Sequence, residues 1–235
     1  MVFEFNTIGL PRILAAAGAD FVLIDLEHTG WGIEGIRPLL AASRAEDVTP
    51  LVRVQGLARH LISPALDVGA TGVMVPMVDD ANDAEAVRAA RFAPHGARGF
   101  GLLYPDQLAG GVGDAISSSD VETLVILQIE TVSGLGCVEE IAVTPGVDAL
   151  WVGQFDLSVA LGIPGAFDES AMREAEDRVL AACAAAGIAA GILVGAVDVA
   201  RSMLARGFRM VALASDIDLY GSALRDGLAA VRDQR

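Results

Sequence analysis

Short apolar runs recur along this chain, spaced so that one helix fits between each pair, and the most informative is Leu124-Val125-Ile126-Leu127-Gln128-Ile129-Glu130-Thr131. A strand without alternating polarity is covered on both faces, as in a parallel sheet wrapped by helices. This run ends abruptly in Gln128 and Glu130. Alternation puts both on the same side, and a buried strand has use for polar groups at its carboxyl end where they face a mouth that takes a ligand. A second run, Val147-Asp148-Ala149-Leu150-Trp151-Val152, ends in the same manner in Gly153-Gln154-Phe155-Asp156. If both strands belong to one parallel barrel, Glu130 and Asp156 leave neighbouring strands at one rim, placed to share a divalent cation.

The remaining runs complete the pattern. They predict strands at Val2–Phe5, Phe21–Leu26, Leu51–Val54, Thr71–Pro76, Ile188–Val194 and Met210–Ala214. Helices are expected from Thr7 and Pro11 through Ala17, and over Ile33–Ala45, Ala58–Val68 and Asp79–Arg91. Further helices are expected at Ser133–Val143, Asp168–Ala186, Val197–Arg206 and Ile217–Arg232. About eight strands thus alternate with about eight helices, which is the grammar of a single-domain (β/α)₈ TIM barrel over residues 1–235. A doubly wound open sheet fits less well, because no GxGxxG follows the first strand and polar residues mark the ends of many strands. The glycine-rich stretch 92–119 reads as a long irregular segment, where substrate preference is expected to reside.

Composition removes several chemistries. All 16 basic residues are arginine, so Schiff-base aldolases, pyridoxal-phosphate enzymes and P-loop hydrolases, which depend on a lysine amine, are excluded. A net charge of −15 argues against nucleic acid as a partner. No apolar run reaches the roughly 18 to 20 residues of a membrane span, and no signal-peptide layout opens the sequence, so a cytoplasmic location is the expectation. Cys137 and Cys183 stand apart without a CxxC spacing and read as buried thiols.

Two carboxylates at adjacent barrel mouths suit Mg²⁺ or Mn²⁺, with Co²⁺ as a further option. The structural alternative is that Glu130 and Asp156 cap the helices that follow them. Arg53 is the one charge inside an apolar run, and burial demands an anion beside it, either Asp67 or a substrate carboxylate. His28 follows the strand-end acids Asp25 and Glu27 and could serve as a base, although loop histidines often only face solvent. His60 and His95 are not expected to be catalytic, and Trp31 and Trp151 read as packing residues. A metal chelating a 2-oxo acid, with Arg53 sharing the developing charge, would give enolate chemistry.

The motifs Ile24-Asp25-Leu26-Glu27-His28, Leu51-Val52-Arg53-Val54, Ala65-Leu66-Asp67-Val68-Gly69-Ala70, Val75-Pro76-Met77-Val78, Gly96-Ala97-Arg98-Gly99, Leu127-Gln128-Ile129-Glu130-Thr131 and Gly153-Gln154-Phe155-Asp156-Leu157-Ser158 occur in that order. As a set they resemble the HpcH/HpaI aldolases, metal-dependent class II pyruvate aldolases. The resemblance implies a (β/α)₈ barrel, a homohexamer built as a trimer of dimers with the last helix exchanged, and pyruvate plus an aldehyde as the small-molecule partners. It implies that Glu130 and Asp156 hold the metal and that Arg53 stabilises the pyruvate enolate. His28 would be the acid/base, held with Asp25, while Asp67 would come from the neighbouring subunit to support His28 and Arg53. Gln128 would line the pocket, and backbone N–H groups from Gly153 through Phe155 to Asp156 would bind the pyruvate carboxylate.

Two departures stand out. After Arg98-Gly99 comes Phe100-Gly101-Leu102-Leu103-Tyr104-Pro105-Asp106, where several relatives carry a further arginine, and Gln154-Phe155 replaces the common Pro-Ala. A lyase acting on a malyl- or citramalyl-coenzyme A thioester is the nearest alternative activity; the scarcity of basic residues disfavours so phosphorylated a carrier. A barrel that binds a 2-oxo acid without turning it over is the alternative of another class.

Overall fold

The computed structural model describes residues 1–101 and 110–232. Helix α1 (Leu10–Ala16) leads into β1 (Phe21–Asp25), α2 (Ile33–Ala45), β2 (Thr49–Arg53), α3 (Arg59–Asp67) and β3 (Gly72–Val75). A 3₁₀ turn (Asp83–Ala86), α4 (Val87–Ala90) and α5 (Val112–Glu122) precede β4 (Leu124–Ile129). Then come α6 (Val132–Gly136), α7 (Val138–Ala142), β5 (Ala149–Val152), α8 (Gln154–Ala160) and α9 (Ser170–Ala186). The chain closes with β6 (Ala189–Val194), α10 (Val197–Arg206), β7 (Met210–Leu213) and α11 (Asp216–Arg232). The strands pair in parallel and in sequence order from β1 to β7, forming a nearly closed barrel of the (β/α)₈ kind.

The expected first strand at Val2–Phe5 is reduced to one bridge, between Val2 and Ile24. Val2 exchanges hydrogen bonds with Leu23 and Asp25 (2.8 and 3.1 Å), while Met1 exchanges them with Ala214 and Asp216 just beyond β7 (both 3.0 Å). Two residues therefore span the gap between the last strand and the first. The strand stops there because the next three N–H groups turn to the Asp216 carboxylate: Phe3 and Glu4 at 2.9 Å and Phe5 at 2.8 Å. Burial opposes ionisation of Asp216, but these donors and the Ile217 N–H outweigh it and hold the carboxyl below its usual range.

Alternation along each strand sorts the core into two layers. Leu23, Leu51, Met74, Ile126, Trp151 and Ala212 fill the barrel interior. Val22, Ile24, Val52, Val73, Leu127 and Ile192 face the helices. Trp151 lies across β6 at Gly191, where an added Cβ would come within 2.2 Å of the indole ring, so only glycine admits it. The interior row continues at the carboxyl ends as Asp25, Arg53 and Gln128, all buried.

Other differences are local. The expected helix from Ser133 to Val143 breaks into α6 and α7 at Cys137, after Gly134 and Gly136. The helix expected from Asp79 shortens to the 3₁₀ turn and α4, α8 begins at Gln154 and holds Asp156 in its first turn and not at its N-cap, which is Gly153, and α5 occupies part of the 92–119 stretch. Cys183 is buried, with its thiol pushed up to about 11 by that burial, whereas Cys137 is only half-buried. No helix among the described residues is long and apolar enough to cross a membrane.

Candidate active site

A cavity of about 420 Å³ opens at the carboxyl ends of the strands, the face of such barrels where loops and strand ends converge. Arg53, Gln128, Trp151 and Gly153 line it from the barrel, His28 and Phe3 from one side, and Gln154, Phe155 and Asp156 from the start of α8. The exits of β6 and β7 complete the wall with Leu193, Val194, Ala214 and Ser215.

Asp25 and Arg53 stand opposite each other in the β1–β2 register, and the Arg53 Nε donates to Asp25 Oδ1 at 2.6 Å. Asp25 is fully buried and also accepts the N–H of His28 at 2.9 Å and of Glu27 at 3.2 Å. The carboxylate thereby fixes both the arginine and the turn that carries the histidine. Glu27 Oε2 lies 3.2 Å from Arg53 Nε and 3.6 Å from His28 Nε2. It pairs with the arginine electrostatically, but no aligned hydrogen bond reaches this oxygen. Desolvation raises the Glu27 carboxyl; Arg53 and His28 draw it down, and Asp25 and Asp156 push it further up.

Glu130 is 2% exposed. Its Oε1 accepts the Met77 N–H at 2.7 Å and its Oε2 accepts Gln128 Nε2 at 2.5 Å. Burial, with the negative charges of Glu27 and Asp156, pushes its carboxyl up to about 7 against the opposing pull of the Met77 N–H and Arg53. Met77 reaches it from a left-handed backbone (φ 56°), a conformation that costs a non-glycine residue about 1 kcal/mol or more. Gln128 Oε1 is buried and has no partner. Because the amide nitrogen is committed to Glu130, this oxygen is left as an unused acceptor.

Comparison with known proteins gives the same direction. Residues 6–223 match the HpcH/HpaI aldolase/citrate lyase family model. The chain belongs to the HpcH/HpaI aldolase/citrate lyase family. It is 39% identical over 221 residues to a hydroxypyruvate/pyruvate aldolase of Chromohalobacter salexigens, covering 93% of this chain and 87% of the relative. It is 34% identical over 226 residues to a 2-dehydro-3,6-dideoxy-6-sulfogluconate aldolase of Pseudomonas putida, covering 94% and 88%. A crystal structure of an HpcH/HpaI aldolase/citrate lyase family protein from Burkholderia cenocepacia superposes with a TM-score of 0.89 at 33% identity, covering 99% of this chain and 93% of that one. The protein is an aldolase-type carbon–carbon lyase.

The HpcH/HpaI motifs converge unevenly in this chain. Asp25, His28, Arg53, Gln128, Gly153, Phe155 and Asp156 all line or flank the cavity, with Glu130 against Gln128 and Gly153. Asp67 does not join them within one chain. It accepts Arg98 Nη2 at 2.8 Å, and burial raises its carboxyl against that arginine's pull. The alternative Arg53–Asp67 pair is replaced by Arg53 with Asp25 and Glu27. Arg98, itself buried, also reaches Ser119 at 3.2 Å and stacks on Phe92 at 4.7 Å. Sequence reading of this HpcH/HpaI chain left Glu27 out of the site, although a position two residues after Asp25 shares its side of the strand exit. Met77, acting through its backbone, and the wall from β6 and β7 left no signal in residue type. Leu102 to Asp106, part of the stretch expected to hold substrate preference, lie outside the described residues.

Proposed function

We propose that this enzyme reversibly cleaves a 4-hydroxy-2-oxo acid to pyruvate and an aldehyde, with a divalent cation such as Mg²⁺ or Mn²⁺ as cofactor. The supporting observation is Glu130: a buried carboxyl raised to about 7, crowded by Glu27 and Asp156, is a site short of positive charge. The donor set is hard oxygen, which suits these ions. Among the described residues no three or more His, Cys, Asp or Glu form a ready-made cage; a pair of carboxylates, Glu130 and Asp156, leaves positions for a chelating substrate. The cation would supply Lewis acidity at the 2-oxo group.

The chain's own groups do the rest. Asp25 and Glu27 engage the Nε edge of Arg53, which lines the cavity and shares charge on the enolate oxygen through its guanidinium. N–H groups in the first turn of α8 bind the substrate carboxylate in this reading, as the family resemblance implies. His28 takes the proton of the C4 hydroxyl as the C3–C4 bond breaks; the bond pair passes into the enolate, the aldehyde leaves, and the proton returns to C3. The imidazole is more than half exposed, so His28→Ala is expected to fold normally, to retain pyruvate binding and to lose about 100-fold or more in turnover. Exchange of pyruvate methyl protons in deuterated water, followed by NMR with and without a chelator, tests both statements without knowledge of the aldehyde. Metal-dependent exchange, lost in His28→Ala, is expected. Its absence from folded wild-type protein with every divalent ion tried would overturn the reading in favour of the thioester lyase or a silent barrel.

We further propose that the enzyme works as an oligomer in which α11 is exchanged between subunits, with a hexamer as the assembly the family resemblance implies. Of this helix's seventeen residues only Asp216 is buried. Ile217, Tyr220, Leu224, Leu228 and Val231 recur at helical spacing and are 43 to 67% exposed. An apolar groove of about 620 Å³ runs between α1, the β1 and β7 edges and the root of α11, lined by Leu10, Ile13, Leu14 and Leu213. One stripe and one groove on each subunit suit reciprocal exchange about a twofold axis. Light scattering is expected to give a mass that is a multiple of two chains, reduced by Leu224→Asp with Leu228→Asp; a monomeric wild type would refute this.

A further inference from the structure

Side-chain charges around the cavity are almost all negative. Asp156 and Asp218 line it, and Asp25, Glu27 and Glu130 flank it, against a single arginine, Arg53, the imidazole of His28 and the α-amino group of Met1, which Asp216 and Asp218 already attract, among the described lining residues. Arg53 is already engaged by two carboxylates, at 2.6 and 3.2 Å. From Gly99 to Met172 the sequence contains no arginine or lysine, so the exits of β4 and β5 supply no arginine, and Arg98, before that stretch, is paired with Asp67. Asp218 accepts the Ser215 hydroxyl at 2.7 Å at the root of α11, where an anion-binding pocket would need a donor or a positive charge. Beside the uncharged polar groups of Gln128, Gln154 and Ser215, the wall has an apolar part made by Met74, Trp151, Leu193, Val194 and Ile217. Phe155 stands 58% exposed at the cavity, held edge-on by Phe167 with ring centroids 5.1 Å apart.

We propose that the electrophile taken by this cavity is an uncharged aldehyde with an apolar body, and that Asp218 and Phe155 set that preference. This rests on the proposed pyruvate aldolase activity and narrows its second substrate. Glu130, Asp156 and the pyruvate 2-oxo oxygen take up the positive charge that the cation and Arg53 bring to the site. A second carboxylate, sulfonate or phosphate would be stripped of water beside Asp218 with no arginine of the described lining free to meet it. An alkyl or aryl body instead loses water against Phe155 and the apolar wall. The Pseudomonas putida relative is named for a sulfonated substrate, so the two enzymes would differ in this part of the pocket.

Butanal and succinic semialdehyde share a four-carbon chain and differ in one terminal carboxylate, which makes them a matched pair. Aldol addition of pyruvate to each is measured with Mn²⁺, and each kcat/KM is divided by the pyruvate deuterium-exchange rate of the same preparation. Butanal is expected to be favoured at least tenfold. Asp218→Arg is expected to narrow or reverse that ratio, with Asp218→Asn between, and Phe155→Ala to raise KM for butanal more than it lowers kcat. Equal or faster use of succinic semialdehyde while exchange proceeds would overturn the specificity and leave the aldolase reading intact. Loss of exchange itself would overturn both.

Discussion

Glu130→Gln is expected to make the metal-free protein more stable at pH 8 while abolishing turnover. The Glu130 carboxyl sits at about 7 in the fold against an ordinary value of 4.5. Between those values the folded state holds a proton that the unfolded state has released, so stability falls as pH rises through this window. A group raised in this way costs the folded protein about 3 kcal/mol once pH exceeds its folded value. The amide isostere removes that cost. Its carbonyl can still accept the Met77 N–H, which now meets Glu130 Oε1 at 2.7 Å. Gln128 can turn its amide so that the oxygen left without a partner accepts from the new amide group. Urea denaturation with a chelator is therefore expected to show the variant ahead of wild type by up to about 3 kcal/mol at pH 8, with the gap closing towards pH 5. Excess Mg²⁺ or Mn²⁺ should reverse the order at pH 8, because the cation binds folded wild type and not the variant. A variant less stable than wild type at pH 8 without metal would mean that Glu130 is held for structure and not for a cation.

This trade of stability for charge separates what the sequence made legible from what it did not. Alternation in Leu124 to Glu130 located Gln128 and Glu130 on one side because a barrel strand has only an inner and an outer face, and the inner row does continue into the cavity. The apolar runs likewise marked every strand whose two faces are both covered. Val2 to Phe5 misled because a short apolar segment carries no record of the carboxylate that will claim its N–H groups, and Asp216 lies 213 residues away from Phe3. Asp67 was the acidic side chain expected beside Arg53; the β1–β2 register set Asp25 there instead, a fact of strand pairing and not of composition. Glu27 was visible as a residue but not as a charge that acts on Glu130. Met77 contributes through a backbone N–H and a φ of 56°, and neither is written in a methionine.

Gly153→Ala tests how closely the site is packed around Glu130. A Cβ at this position would lie 2.5 Å from Glu130 Oε2 and 2.6 Å from both Gln128 Nε2 and Glu130 Cβ. The backbone there, at φ −83° and ψ 71°, is on the side of φ that alanine readily adopts, so the effect is one of contact and not of main-chain strain. Neither neighbour is a free chain end that can swing away: Glu130 is tied to the Met77 N–H and Gln128 is tied to Glu130. One methyl group must therefore displace the carboxylate, break one of these bonds or push the first turn of α8 outward, and each response moves Glu130 relative to Asp156. Shifts near 1 Å in such a constellation cost about 100-fold in rate. A fall of kcat/KM by about 100-fold or more is expected at saturating divalent cation, with weaker cation affinity by calorimetry. Stability in chelator should change far less, by about 1 kcal/mol, because displacing a carboxylate that is already costly to bury offsets part of the crowding. Wild-type activity and cation affinity in Gly153→Ala would show that the reaction does not need Glu130 where the fold holds it, and the place of the chemistry in this barrel would have to be sought elsewhere.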